Sequence, residues 1–318
     1  MRVLVTGGTG YLGAAIVRML HARGHQPIVF ARRARRAQLP GTPYDGDVRD
    51  PLSLRRALER VDALIHAAAL VSLWRPDPRE FDAVNVDGLV NVLDAARTAG
   101  VERIVYTSSF LALPPAGHRD PLEGNDYQRT KVAALDVARR AAAAGDPIVI
   151  LFPGVVYGPG VDTEGNLIGR MIRDHLRGTL PGVIGADRRW SYAFVDDVAA
   201  AHVEAATRPG VRGEYVAGGE NASQMRVFEI VRDLSGRRLP RRIPFRVAEA
   251  IGSFEERRAR WFGRPPLLTR GTVKIFRHDW TLNSARSIQE LSYAVTPLEE
   301  GLPLVYRSMG LDLALIRD

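Results

Sequence analysis

The chain has 318 residues, 46% of them hydrophobic, and no cysteine; 44 basic against 36 acidic residues leave a net charge of +8. That length allows one large domain or two lobes and a core that needs no disulfide or metal staple. The lack of cysteine excludes a disulfide scaffold, a thiol nucleophile and a Cys-ligated metal centre, and no apolar run reaches the roughly 20 residues of a spanning helix.

In chain order, Arg2–Thr6 reads as a β-branched strand and Tyr11–Ala22 as a helix. Pro27–Ala31 is a second strand, and a short one precedes Gly46. Leu52–Arg60 is helical, Ala63–His66 a strand, Glu80–Thr98 one long helix and Arg103–Ser108 a strand. Asn125–Ala144 is an Ala-rich helix and Ile148–Phe152 a strand. Strands alternating with long helices predict βαβ units and a parallel sheet buried on both faces. The fold class is therefore α/β, a Rossmann-type doubly wound parallel sheet with a smaller, mainly helical C-terminal lobe. Residues 1–157 form the dinucleotide-binding lobe, its sheet completed by residues 191–217, where Tyr192–Val195 and Glu214–Ala217 read as two more sheet or interlobe strands. Residues 158–190 and 218–318 form the substrate lobe. Gly7, Gly10 and Gly13 interrupt the apolar N-terminal stretch and argue against a signal peptide, so the expected location is the cytoplasm.

The glycines of Thr6-Gly7-Gly8-Thr9-Gly10-Tyr11-Leu12-Gly13 lie between a strand and a helix. Such a turn bends sharply and lets backbone approach a pyrophosphate, while the helix N-terminus offers free N–H groups and a positive dipole end. The second strand ends Phe30-Ala31-Arg32-Arg33, with Arg where an NAD site would carry an acid. A guanidinium pairs with a ribose 2′-phosphate, so NADP(H) is favoured and NAD(H) is second. Asp47 is a candidate acceptor for an adenine amino group. A helix-start or turn aspartate is the competing reading.

Only two of the basic residues are lysines, Lys131 and Lys274. Arginines cluster at 32–36, 237–242 and 257–260, without any zinc-finger or helix-turn-helix pattern, and no nucleic-acid partner is expected. Tyr127 and Lys131 are four residues apart and share a helix face. Nine tyrosines and two lysines placed at random would give that spacing about 0.06 times. A neighbouring ammonium favours phenolate, and a Ser hydroxyl can hold a substrate oxygen beside the Tyr. His66 and His202 lack partners at ligand spacing and read as structural, so no metal is expected.

These motifs resemble the extended short-chain dehydrogenases/reductases, the NAD-dependent epimerase/dehydratase superfamily. Besides the glycine turn, the matching stretches are Gly46-Asp47-Val48, His66-Ala67-Ala68-Ala69, Asn85-Val86-Asp87-Gly88, Tyr106-Thr107-Ser108-Ser109, Tyr127 to Lys131 and Pro153-Gly154-Val155-Val156-Tyr157-Gly158-Pro159-Gly160. The resemblance implies Ser109 as the catalytic serine, with Ser108 the second choice, Tyr127 as acid–base residue and Lys131 as ribose holder. It also implies cofactor contacts from Gly7, Thr9, Gly10, Tyr11, Leu12, Gly13, Arg32, Arg33, Asp47, Val48, Ala67, Ala68, Ala69, Tyr127, Lys131, Pro153, Val155 and Val156. Asn85 is either a structural polar residue or part of a proton relay. A homodimer through the helices at 80–98 and 125–144 is likewise implied.

Phe110-Leu111 follows the serine where dehydratases of the family carry Asp-Glu. Trp190 stands where sugar-nucleotide epimerases carry Arg. The stretch from Phe194 to His202 and the tail from Asn283 to Gly301 are more similar to dihydroflavonol-reductase-like and 3β-hydroxysteroid-dehydrogenase-like members. The favoured function is an NADP(H)-dependent oxidoreductase acting on a ketone, aldehyde or alcohol of an apolar-bodied small molecule. A sugar epimerase with retained cofactor is second, and a non-catalytic NADP(H) sensor third. In Arg246–Phe262, Val247, Ala250, Ile251, Phe254, Arg258 and Trp261 follow helical spacing. The favoured reading is a helix whose apolar side covers the substrate pocket; contact with a membrane surface is the lesser alternative.

Overall fold

The protein is described by a computed structural model in which residues 1–310 are placed. The chain runs β1 Arg2–Thr6, α1 Tyr11–Ala22, β2 Gln26–Ala31, β3 Thr42–Asp45, α2 Pro51–Ala57, β4 Ala63–His66, α3 Arg79–Asn85, α4 Asp87–Ala99, β5 Arg103–Thr107, α5 Asp126–Ala143 and β6 Ile148–Pro153. It continues β7 Val155–Tyr157, α6 Leu167–Arg177, β8 Val183–Ile184, β9 Arg189–Phe194, α7 Val195–Thr207, β10 Gly213–Ala217, β11 Glu220–Ser223 and α8 Gln224–Ser235. The described chain closes with β12 Arg242–Ile243, α9 Phe245–Phe262, α10 Arg270–Phe276, α11 Ala285–Leu291 and α12 Leu298–Ser308. Among the described residues no helix is long and apolar enough to cross a membrane.

Seven strands form one sheet in the order β10-β6-β5-β4-β1-β2-β3. Every neighbouring pair is parallel. Alternate side chains leave opposite faces. Val3 and Val5 pack with Ile16 and Leu20 of α1 and Val198 and Ala199 of α7. Leu4 packs on the other side with Leu54, Leu89, Val92 and Leu135 of α2, α4 and α5. The strand order reverses beside β1, which opens a crevice at the carboxyl ends of β1 and β4.

Local chemistry sets the helix ends. Asp50 accepts from Leu52 N at 3.0 Å, with Pro51 at the first position of α2, and Asn125 accepts from Gln128 N at 3.0 Å to start α5. A side-chain acceptor at that place satisfies an N–H that would otherwise have no partner.

Three expectations need correction. The Glu80–Thr98 helix is two helices, α3 and α4, meeting at Val86. Beside the break, the Asn85 amide is tied to Leu70, and a Cβ on Gly88 would lie 2.9 Å from Val48. Residues 191–217 do not complete the sheet as one piece. Only β10 joins it, while β9 sits between β7 and β11 in a separate three-stranded sheet. Finally, α9 is turned the other way. It packs on α10 through the small seam Ala248, Gly252 and Ala259 with Glu255, while Val247, Ile251, Phe254 and Trp261 are exposed. A Cβ on Gly252 would lie 3.1 Å from the Arg270 backbone, so close approach selects the small face. The C-terminal lobe is helical through α8 to α12 as expected, although residues 311–318 lie outside the described part.

Candidate active site

The glycine turn joins β1 to α1 through a left-handed Gly7, with φ of 66°. Gly10 N donates to Gly7 O at 2.8 Å, and Ala14 N donates to Gly10 O at 2.8 Å. A Cβ on Gly13 would stand 2.1 Å from Gly7 O, and one on Gly7 would stand 2.7 Å from Ala68 Cα. The turn is therefore packed against Ala67 and Ala68 beyond β4, with no room for a side chain at Gly7 or Gly13. Thr9, Gly10 and Leu12 are half-buried at its rim. No side chain caps α1, and its first N–H groups have no partner within the helix. This cradle suits a phosphate bridge.

Tyr11 uses its side chain elsewhere. Its hydroxyl donates to Gly158 O at 2.9 Å, and its ring would touch any Cβ on Gly160. It locks the loop after β7 onto the glycine turn, leaving its backbone N–H at the helix start as its contribution to a phosphate site.

Arg32 and Arg33 are exposed at the end of β2. Asp47 is engaged by Arg49, which donates from its backbone N at 2.9 Å, from Nε at 3.0 Å and from Nη2 at 2.7 Å. The Arg49 hydrogen bonds hold the Asp47 carboxyl below its ordinary range, with Arg32 adding a weaker pull. Arg32, Arg49 and Asp47 thus gather in one place. Arg49 went unnoticed in the sequence, where its position two residues after Asp47 was the available signal. Val48 is buried and packs in the core cluster with Phe30 and Leu89.

Ser109 lies just after β5. It is buried, and its Oγ accepts from Leu111 N at 3.2 Å, starting a 3-10 turn over Phe110–Ala112. Neighbouring Ser108 is buried too, its hydroxyl without a hydrogen-bond partner among the described residues. Tyr127 is half-buried in the first turn of α5, and Lys131 is one turn on and buried. Lys131 Nζ donates to Thr107 O at 2.9 Å and sits 5.4 Å from the Tyr106 ring centre. Burial pushes the Tyr127 phenol up to about 12, with the Ser109 hydroxyl pulling the other way. Burial also brings the Lys131 amine down to about 7. Desolvation, rather than attraction between the pair, sets both values here. Tyr127 is a neutral phenol across the physiological range and can donate a proton.

Neighbouring groups fix these side chains. Asn85 Nδ2 donates to Thr130 Oγ1 at 2.9 Å and accepts at Oδ1 from Leu70 N at 2.7 Å, joining α5 to the loop beyond Ala69. His202 Nδ1 lies 2.7 Å from Val198 O, and its Nε2 lies 2.9 Å from Thr107 Oγ1. His66 Nδ1 lies 2.7 Å from Thr6 Oγ1, and burial lowers its pKa to about 3. Both imidazoles are neutral and bonded within the core. Pro153 and Val155 are buried, with Val156 half-buried, where β6 passes into β7.

An aromatic wall flanks the serine. Phe110 packs on Trp190 at 5.9 Å and on Trp280 at 5.4 Å, and Trp190 on Phe276 at 4.6 Å between ring centres. Tyr127 packs on this cluster. Trp190 Nε1 donates to His278 O at 3.1 Å. Trp280 and Phe276 were not singled out in the sequence, because they reach the wall only through the pairing of residues 190 and 280.

Residues 3–218 match the NAD dependent epimerase/dehydratase family. The chain is 35% identical over 314 residues to sterol demethylase protein B of Methylococcus capsulatus, covering 93% of this chain and 94% of that protein. It is 32% identical over 294 residues to a 2-alkyl-3-oxoalkanoate reductase of Stenotrophomonas maltophilia, covering 84% and 87%. The solved structure of Thermus thermophilus UDP-glucose 4-epimerase with NAD superimposes with a TM-score of 0.76 at 25% identity, covering 98% of this chain and 99% of that one. With a glycine cradle at the crevice and the Ser, Tyr and Lys beside it, the chain belongs to the NAD dependent epimerase/dehydratase family and is an NAD(P)-dependent enzyme of the extended short-chain dehydrogenase/reductase type.

Proposed function

We propose that the chain is an NADPH-preferring oxidoreductase that interconverts a ketone or aldehyde and an alcohol on an apolar-bodied substrate. The observation that carries this reading is Tyr127 packed on the cluster of Phe110, Trp190 and Trp280, one helical turn before the buried Lys131, with Ser109 next to Phe110 in the chain. Phe110, Trp190 and Trp280 are themselves almost fully buried, so the wall backs the serine from within the core and keeps water from reaching the polar end through it. Trp190 puts a neutral, buried indole where a charged side chain would have to read a sugar diphosphate. Relatives named for a sterol and for an oxoalkanoate support the same substrate character.

When bound, the nicotinamide supplies or accepts hydride. The free N–H groups at the start of α1 would bind the phosphates, and Arg32 and Arg33 a 2′-phosphate. Ser109 Oγ orients the substrate oxygen. In reduction, Tyr127 Oη donates its proton to that oxygen; in oxidation it takes the proton back. Lys131 Nζ, anchored by Thr107 O, would hold a ribose hydroxyl and stabilise a phenolate once the proton has left.

Likeness to the T. thermophilus structure favours a second reading, a sugar-nucleotide epimerase that keeps its cofactor. Fluorescence titration separates the two. The favoured reading expects tighter binding of NADPH than of NADH and an NADPH-oxidising activity on ketones or aldehydes. Tyr127→Phe should lower that activity by at least about 100-fold, the contribution of a positioned general acid, with NADPH affinity nearly unchanged. A nucleotide that copurifies with the protein and cannot be exchanged, without net redox turnover, would move the epimerase ahead. Unaltered turnover in Tyr127→Phe would remove Tyr127 from the chemistry.

A further inference from the structure

We propose that α9 and the loop after it form a docking face for an anionic lipid surface. The helix carries its large apolar side chains outward. Phe254 is 62% exposed, Trp261 78%, Phe262 70% and Leu267, in the following loop, 76%. Val247 and Ile251 extend the same stripe and are also exposed. From Val247 to Trp261 the stripe covers about 21 Å at 1.5 Å per residue. Such a row of bulky apolar groups left in water is unusual for a helix whose buried seam is made of alanine and glycine around Glu255.

The seam leaves no freedom to roll the stripe inward. Glu255 Oε2 accepts from Leu267 N at 3.0 Å and from Arg258 Nη2 at 2.6 Å, which ties the loop back to the helix. Glu256 binds the Arg270 backbone N at 2.7 Å. The orientation is therefore fixed by hydrogen bonds on the buried side.

Charge identifies the occupant. The acids on α9 are neutralised: Glu249 pairs with Arg277, Glu255 with Arg258 and Glu256 with Arg270. Among the described residues Arg246, Arg257, Arg260 and Arg264 form no ion pair, and all four are exposed. At 100° per residue, Arg246 and Arg257 border the apolar stripe on the side away from the buried seam. A helix with an apolar stripe, aromatic residues at one end and unpaired arginines along its edge fits a headgroup layer, with its apolar side in the acyl boundary. A second copy of this face would bring like charges together.

The test is sedimentation of the full chain with phosphatidylcholine vesicles, with and without phosphatidylglycerol, while tryptophan emission is followed. At low ionic strength the chain should bind the anionic vesicles, shift its emission to the blue, and release as salt is added. Arg257→Gln with Arg260→Gln should weaken partitioning by roughly tenfold or more. Phe254→Ser with Trp261→Ser should abolish it at the same lipid concentration. These positions face water, so an unchanged far-UV spectrum shows that each variant is folded. Trp261→Phe provides a second readout: binding persists and most of the emission shift disappears. Absence of binding to anionic vesicles at low salt overturns the proposal. So does equal binding to neutral vesicles, or binding unaffected by both double variants. Self-association without lipid, lost in the Trp261 variants, would make a second copy the occupant instead.

Discussion

Lys131 carries opposed demands. Its amine must be charged to support a phenolate, yet it is buried, and burial lowers it from 10.5 to about 7. Between those two values the unfolded chain holds a proton that the folded chain lacks. The contribution of this group to stability therefore rises with pH through that window and is least favourable below about pH 7. Lys131→Met removes the penalty while nearly keeping the volume. The variant should be inactive but more stable than the parent at pH 6, on the order of 1–3 kcal/mol after the lost Thr107 bond is offset. The gap should narrow toward pH 10, because the parent recovers stability there. Urea midpoints at pH 6 and pH 9.5 measure this. A variant weaker than the parent at pH 6 would mean that the amine is better solvated than its surroundings indicate.

At the scale of elements, the glycine turn shows why some features were legible in the sequence. Its glycines are demanded by contacts within ten residues, Gly7 O against Gly13 and Gly10, and by the docking of Ala68. Gly13→Ala forces backbone apart, and its expected cost is about 1–3 kcal/mol with a large loss of NADPH affinity. A melting midpoint and a nucleotide titration read both, and a variant that keeps parental affinity would free the cradle from phosphate binding. Five of the six strands from β1 to β6 were readable for a similar reason, since each is a short apolar run between turn residues; β3, Thr42-Pro43-Tyr44-Asp45 and mostly exposed, was marked only by the Gly46-Asp47 that follows it. β9 was readable as a strand at Tyr192–Val195 but not as part of a second sheet, because its partners β7 and β11 lie far along the chain and nothing local distinguishes that sheet. The wall built on Trp190 and Trp280 has the same non-local origin. In α9, periodicity correctly indicated two unlike faces but not which one packs. Bulk argued for the Phe254 side, and close approach to α10 selected the Gly252 side.

For the whole molecule, the remaining question is which surface joins two copies. The resemblance points to α4 and α5, and the composition of that surface supports it. The groove between them is lined by Val90, Leu93, Val137 and Ala141, with Asp94, Arg97 and Arg140 at its edge. Arg97 already bridges Asp94 and Asp146, so acid and base alternate along the rim. A two-fold axis brings the same patch onto itself, which is favourable only when both signs are present. This groove meets that condition, whereas the α9 face, with its arginines and paired acids, does not. We therefore propose a homodimer through α4 and α5, burying more than about 1,000 Å² in total. Val90 is exposed on α4 in a single chain, so Val90→Asp should leave the monomer fold intact and place an unpaired charge in the joint. Sedimentation equilibrium should give twice the chain mass for the parent and the chain mass for the variant, with matching far-UV spectra. A parent that sediments as a monomer, or a variant that remains dimeric, would assign the joint to another surface and leave this groove open to solvent.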